Sequence, residues 1–176
     1  IYRLARIYFQ KDQPLNARFA IERIEGRLPS ALQDDVVFLH AQILLANGRN
    51  GEAVKLLKTL QGADSLQGFN SYNLGIALLR DGQAVEGFRY LDRTGQIDSR
   101  DTLTLAIKDK ANLVLGTQLM TAQKYPMAKG ILDRVRLSGP FSNRALLSSG
   151  WADATEGRFD RALVPWSLLV QREVTD

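Results

Sequence analysis

The stretch YNLGIALLRDGQAVEG, residues 72–87, contains a glycine where a helix would be expected to avoid one. Its first half is an apolar run typical of a helix, yet Gly75 should cost about 1 kcal/mol there relative to alanine. Asp81-Gly82 then marks a turn, and a second helical pattern follows. We therefore predict two helices joined by a short turn, with Gly75 facing Gly87 so that the two backbones approach closely.

The arrangement of small residues around this turn recurs along the chain. In each copy, a small residue is followed twelve positions later by a second small residue and four positions after that by a large apolar one. The first small residues are Ala5, Ala41, Gly75, Gly116 and Gly150. The second small residues are Ala17, Ala53, Gly87, Ala128 and Ala162. The large apolar residues are Ile21, Leu57, Leu91, Leu132 and Trp166. The copies are 36, 34, 41 and 34 residues apart, which predicts a repeat architecture.

These copies resemble the tetratricopeptide repeat, a helix–turn–helix unit of about 34 residues. The segment NLGIALLRDGQAVEGFRYLDRTGQID, residues 73–98, matches best, and LHAQILLANGRNGEAVKLLKTL, residues 39–60, follows the same pattern. The resemblance covers nearly the whole chain. It implies an all-α fold, an α-solenoid of about five helix–turn–helix repeats in a right-handed superhelix. Within this single domain, the repeats would occupy approximately residues 1–33, 34–67, 68–101, 102–142 and 143–176.

Several local signals add detail. Pro14 and Pro126 stand where second helices would begin, a site where a missing N–H costs nothing. We expect Asp34-Asp35 to cap the first helix of the second repeat. Pro165 falls inside the last helix and should kink it or delay its start.

The spacing of 41 between Gly75 and Gly116 leaves seven extra residues. We predict that they extend the first helix of the fourth repeat, which would run from Thr102 to Ala122. The cap would come from Asp98, Ser99 or Asp101. A longer loop is the alternative. The chain also departs from the family pattern at Ser71, Asn112 and Asp153, where the family has bulkier or apolar residues.

The composition argues against several classes of function. The net charge is +4, but the 23 basic residues are scattered, whereas nucleic-acid-binding proteins usually cluster them. The chain has no cysteine, and no apolar run approaches the ~18 residues of a transmembrane helix. We therefore expect neither nucleic-acid binding nor direct membrane insertion. Because the chain opens at Ile1 within a helical pattern, we read it as part of a longer protein.

The residues needed for catalysis are also lacking. His40 is the single histidine, and it occupies a packing position equivalent to Leu4, Leu74 and Leu115. We expect it to be a half-buried core residue. No histidine or EF-hand pattern of metal ligands occurs, and the carboxylates are isolated. We therefore predict no catalytic residue, no metal site, no cofactor and no enzymatic activity.

The family resemblance implies a concave groove lined by the first helix of each repeat. Mapped onto this chain, the groove residues are Tyr2, Phe9, Phe38, Leu45, Phe69, Tyr72, Asn73, Ile76, Leu79, Arg80, Leu113, Met120, Leu147 and Trp151. This mostly apolar set suits a helical or apolar segment anchored every three or four residues. Lys110 and Arg144 at its rim would orient an acidic partner.

We therefore expect a protein–protein interaction or scaffold module. The occupant of the groove would be a protein or peptide partner, a flanking segment of the same chain, or a second copy in a homo-oligomer. The alternative is a structural spacer or self-associating arm of a larger, envelope-associated protein. The composition suggests a bacterial protein, and we favour the periplasm over the cytoplasm.

Overall fold

The computed structural model describes residues 1–26, 28–60 and 67–172, and within those ranges the chain forms ten α-helices and no β-strand. The helices are α1 (Tyr2–Gln10), α2 (Pro14–Ile21), α3 (Ser30–Ala46), α4 (Asn50–Thr59), α5 (Gln67–Arg80), α6 (Ala84–Gly95), α7 (Thr102–Thr121), α8 (Tyr125–Leu132), α9 (Ser142–Thr155) and α10 (Phe159–Val170). The chain divides into two compact units, Ile1–Tyr90 and Leu91–Asp176.

Helices pack in a repeating order within each unit. In the first unit α1 packs on α2, α2 on α3, α3 on α4, and α4 on α5. In the second unit α7 packs on α8, α8 on α9, and α9 on α10. The first helices of neighbouring pairs also touch, as α1 does with α3, α3 with α5, and α7 with α9. This order is the one expected of stacked helix–turn–helix units.

The turns that join the two helices of each pair share one backbone feature. Seven residues after the first small residue, the backbone is left-handed in every pair. The residues are Asp12, Gly48, Gly82, Gln123 and Gly157, with φ values of 55°, 74°, 81°, 57° and 74°. Glycine adopts this conformation without steric cost, whereas Asp12 and Gln123 hold it against their side chains. The turn geometry is therefore common to all five pairs, although the glycine that indicates it in the sequence is present in three of them.

The close approach predicted for the third pair is confirmed. A Cβ atom placed on Gly87 would lie 2.9 Å from the carbonyl oxygen of Gly75 and 3.0 Å from Cγ of Leu79. The fourth pair uses its glycine in the same way, because a Cβ on Gly116 would lie 2.5 Å from Cγ of Leu132. Close packing between helices is therefore what offsets the poor helix propensity of these glycines.

The long helix predicted for the fourth repeat is also confirmed. Helix α7 runs from Thr102 to Thr121, and Asp101 is its N-cap. The Asp101 carboxylate accepts a hydrogen bond of 2.7 Å from the Thr104 N–H, and this bond lowers the pKa of the carboxyl group. The extra residues therefore lengthen a helix and do not form a loop.

The predictions for the other helix starts had mixed outcomes. Pro14 is the first residue of α2 and Pro126 the second of α8, as expected. The capping role predicted for Asp34-Asp35 is wrong, because α3 already begins at Ser30, directly after the extended backbone of Pro29. Pro165 does not delay α10, which begins six residues earlier at Phe159.

Candidate functional site

The predicted groove residues of the first unit contribute mainly to packing. Leu45 and Tyr72 are buried, and burial raises the pKa of the Tyr72 phenol although Arg80 acts in the opposite direction. Tyr2, Phe9 and Phe38 are half-buried against two core clusters. Phe69, Asn73, Ile76 and Leu79 are half-buried as well. These side chains therefore offer a partner much less surface than the sequence pattern suggested.

The side chains of two polar groove residues in this unit donate hydrogen bonds to backbone carbonyl groups. The Asn73 amide donates a hydrogen bond of 3.1 Å to the Phe69 carbonyl one turn earlier in α5. Exposed Arg80 donates one of 3.4 Å to the Leu45 carbonyl at the end of α3. Both groups thus support the helices that carry them.

In the second unit, an exposed apolar surface lies on α9. Leu113 is buried and Met120 packs against a core cluster, whereas Leu147 and Trp151 are 46% and 54% exposed. Exposed Arg144 precedes Leu147 by one turn, so that residues 144, 147 and 151 share one side of the helix. We call Arg144, Leu147 and Trp151 the α9 stripe. It contains those predicted groove residues that have both an apolar side chain and substantial exposure.

The indole of Trp151 rests against a second tryptophan. Its ring centroid lies 5.3 Å from that of Trp166 on α10, with an interplanar angle of 71°, an edge-to-face arrangement. The Trp166 Nε1–H donates a hydrogen bond of 3.2 Å to the Leu147 carbonyl. Trp151 is therefore an exposed aromatic side chain with a fixed support behind it.

Gly150 makes this support possible. A Cβ on Gly150 would lie 2.1 Å from the Trp166 Nε1 atom, so any larger residue would displace the indole from α9. Gly150 and Trp166 thus repeat, in the fifth repeat, the pair of a small and a large residue that Gly116 and Leu132 form in the fourth. The sequence repeat identified both residues, but it did not predict their contact with Trp151.

Comparison with known proteins yields solved structures of the same architecture. No family model and no curated protein matches the chain. Two crystal structures of MamA superpose with TM-scores of 0.69 and 0.68 at 16% identity, covering 96% of this chain and 93% and 87% of theirs. The crystal structure of a Podosopora anserina putative kinesin light chain with nearly identical TPR-like repeats gives 0.65 at 20% identity, covering 98% of this chain and 95% of that one. The fold is of the tetratricopeptide type. The chain is accordingly an α-solenoid of helix–turn–helix repeats, as the sequence predicted.

In a tetratricopeptide fold, α8 and α9 form the junction between two repeats, and here that junction is polar. Asp153 is fully buried, and its carboxylate lies 2.8 Å from the Arg158 Nε and 3.4 Å from the Lys129 Nζ. Lys129 also donates to the Ser149 hydroxyl at 3.0 Å. Burial would raise the pKa of Asp153, but Arg158 and Lys129 hold it below its ordinary value. The departure of Asp153 from the repeat pattern is thus compensated by two cations.

Asn112, another departure from the family pattern, also has a partner. It is fully buried, and its amide donates a hydrogen bond of 2.9 Å to the Gly95 carbonyl at the end of α6. A Cβ on Gly95 would lie 2.2 Å from the Asn112 Oδ1, so the glycine provides the room for the side chain. Asn112 therefore satisfies a helix-terminal carbonyl that would otherwise have no intrahelical partner.

A cavity of about 280 Å³ lies between α8, α9 and α10. Its walls are mostly apolar, and Lys129 and Asp133, which line it, pair with each other at 3.1 Å. Pro165 lines it at the repeat position where the second, third and fourth repeats carry Leu56, Tyr90 and Ile131, and the first carries Ala20. A short, cyclic side chain at this position leaves space that a larger one would fill.

The described residues lack a cluster of metal ligands and a membrane-spanning helix. Among residues 1–26, 28–60 and 67–172, no three side chains of His, Asp or Glu lie close enough to hold a metal ion. Over the same ranges, every helix is too short or too polar to cross a bilayer. His40 is half-buried, as predicted, and burial lowers its pKa.

Proposed function

We propose that this chain is a protein-interaction module that binds an apolar or amphipathic helical segment of another protein at the α9 stripe. The observation that carries this proposal is the exposed indole of Trp151, which is supported by Trp166 at 5.3 Å. Tryptophan is enriched among residues that dominate binding energy, and a side chain that is already fixed loses little entropy on binding.

The neighbouring residues favour a partner that combines apolar and acidic side chains. Leu147 and Trp151 are four residues apart, which matches the anchor spacing of a helix laid along a surface. Arg144 extends the stripe with a positive charge, and the chain carries a net charge of +4. Acidic residues beside the apolar anchors of the partner would therefore accelerate and orient its binding.

The fold is consistent with this role. Tetratricopeptide repeats stack into extended surfaces that other proteins can use as docking sites. A scaffold without enzymatic activity also agrees with the scattered carboxylates and with the half-buried position of the single histidine.

Selection of peptides from a displayed library against the whole chain tests the proposal. We expect the selected peptides to carry apolar residues at helical spacing next to acidic residues, and to quench or shift tryptophan fluorescence. Trp151→Ala should weaken their binding by about tenfold or more, as loss of an aromatic hot spot does. Met127→Ala, at an exposed apolar residue of α8, is the matched control and should leave affinity unchanged. Equal affinity for Trp151→Ala and the unsubstituted chain would contradict the proposal.

A further inference from the structure

The centre of the junction between α4 and α5, inside the first unit, is apolar and buried. Val54 of α4 packs in one cluster with Leu74 and Leu78 of α5, and the two leucines have no exposed surface. At the end of the same junction, a Cβ on Gly51 would lie 3.1 Å from the Asp81 Oδ1, so these two positions also adjoin. This junction shows which repeat positions meet when one helix pair follows another.

The same repeat positions are exposed on α1 and α10. Leu4 of α1 corresponds to Leu74 and is 48% exposed, whereas Leu163 of α10 corresponds to Val54 and is 57% exposed. Phe159, one turn before Leu163, is also exposed. We call Leu4, half-buried Tyr8 and exposed Lys11, which directly follows α1, the α1 face. Phe159, Asp160 and Leu163 form the α10 face.

The α1 and α10 faces resemble the α4–α5 junction and differ from the α2–α3 and α8–α9 junctions, which carry polar residues. At the positions of Val54 and Leu74, the α8–α9 junction has Lys129 and Ser149, which are hydrogen-bonded. The α2–α3 junction has Arg18 and His40 at these positions. At the same two positions, the α10 face carries Leu163 and the α1 face carries Leu4. Both residues are apolar, as are Val54 and Leu74 in the α4–α5 junction.

Charge complementarity supports the same pairing. Asp160 occupies the repeat position of Gly51, and Lys11 occupies that of Asp81. Since Gly51 and Asp81 adjoin in the α4–α5 junction, an α10 face docked on an α1 face would bring the Asp160 carboxylate to the Lys11 ammonium group. Both side chains are exposed, and neither has an ion-pair partner among the residues that the structure describes.

We propose that the α10 face of one molecule docks on the α1 face of a second copy and reproduces the α4–α5 junction between the two chains. The contact is heterologous, because the two partners use different surfaces. Each molecule in the contact keeps one unused face, so further copies can add until a ring closes or a filament grows. The two faces share no residue with the α9 stripe, so the proposal does not depend on the proposed peptide binding.

Sedimentation velocity of the 176-residue chain over a wide range of concentrations tests this proposal. We expect the average mass to rise with concentration beyond that of a dimer. Leu4→Asp and Leu163→Asp should each weaken association by about tenfold or more, because each buries a charge in an apolar contact. An equimolar mixture of the two variants should form dimers that grow no further, because each variant keeps the face that the other has lost.

Charge reversal provides a test that does not alter the apolar residues. Lys11→Glu and Asp160→Lys should each weaken association, and the double variant should recover it. Val85→Asp, at an exposed apolar residue of α6, is the control and should associate like the unsubstituted chain. Trp151→Ala should associate like the unsubstituted chain, although it should lose peptide binding. The proposed self-association and the proposed peptide binding can therefore be tested separately.

Three results would overturn the proposal. A chain that stays monomeric at every concentration would indicate that another protein or a further segment covers these faces. Association that survives both Leu4→Asp and Leu163→Asp would place the contact elsewhere. Dimers formed by Leu4→Asp alone as readily as by the mixture would indicate a symmetric contact.

Discussion

The backbone of Gly75 leaves no room for a side chain on Gly87, because a Cβ there would lie 2.9 Å from the Gly75 carbonyl oxygen. Backbone at this position cannot rotate away as the end of a flexible side chain could. The two glycines therefore fix the separation of α5 and α6. The same two columns of small residues run through all five repeats, with either glycine or alanine at each position.

Gly87→Ala should destabilise the protein although alanine is the better helix former. The gain in helix propensity is about 1 kcal/mol, whereas overpacking against Gly75 and Leu79 should cost about 2 to 3 kcal/mol. Urea denaturation measures the net loss. Gly130→Ala in α8 is the matched control, since a Cβ there meets nothing within 4 Å. It should stabilise the protein, and a stabilising effect of both substitutions would show that α5 and α6 are not closely packed.

The pairing of Lys129 with buried Asp153 predicts strong coupling between the two positions. Lys129→Val leaves the Asp153 carboxylate with Arg158 as its remaining cation and should cost about 2 kcal/mol of unfolding free energy. Asp153→Leu should also be destabilising, because it leaves Lys129 without its buried carboxylate. The double variant restores the residue types that Val54 and Leu78 provide in the α4–α5 junction and should lie near the stability of the unsubstituted chain. A double-mutant cycle measures this coupling, and additive single effects would refute it.

The lowered pKa of His40 predicts that stability falls in mild acid. Burial is the main cause, while Glu22 and Glu52 oppose it and Arg49 reinforces it. Below the ordinary histidine pKa of 6.5, the unfolded chain binds a proton that folded His40 still excludes, so the free energy of unfolding decreases. The decrease continues until the pH reaches the lowered pKa of the folded state. The contribution of neutral His40 to the free energy of unfolding is therefore fully present above pH 6.5. It is lost as the pH falls from 6.5 to the lowered pKa of the folded state.

Urea denaturation at several values between about pH 8 and pH 5 checks this expectation. Two other repeats have leucine at the position of His40, namely Leu74 and Leu115. His40→Leu should therefore abolish the change of unfolding free energy with pH and add about 1 kcal/mol of stability at neutral pH. Because the chain has one histidine, an unchanged pH dependence of stability in the variant would show that other titratable groups cause it.

Much of the architecture follows from local and periodic features of the chain. The columns of small residues that include Gly75, Gly87 and Gly116 predicted paired helices at close approach, because each pattern lies within one or two helices. The Asp101 cap and the long α7 were predictable for the same reason. Asp34-Asp35 failed as a cap because several residues can begin a helix, and Pro29 places the start of α3 earlier.

The exposure of the groove residues could not be read from the periodicity. Tyr72 and Trp151 were both assigned to the groove, yet Tyr72 is buried and Trp151 is more than half exposed. A repeat position specifies a direction on its helix, whereas burial depends on the size and identity of the residues packed around it. For Trp151, the decisive neighbour is Trp166, which Gly150 admits to the surface of α9.

The residues of the chain thus specify the number, spacing and turns of the helices, because hydrophobic periodicity, small-residue columns and turn residues act over short distances. Contacts between helices specify which side chains are paired and which are exposed. Lys129 and Asp153 meet across a junction, and Trp151 gains its support from another helix. Such pairs join residues that are far apart along the chain, so their consequences for charge and exposure arise when the helices pack together.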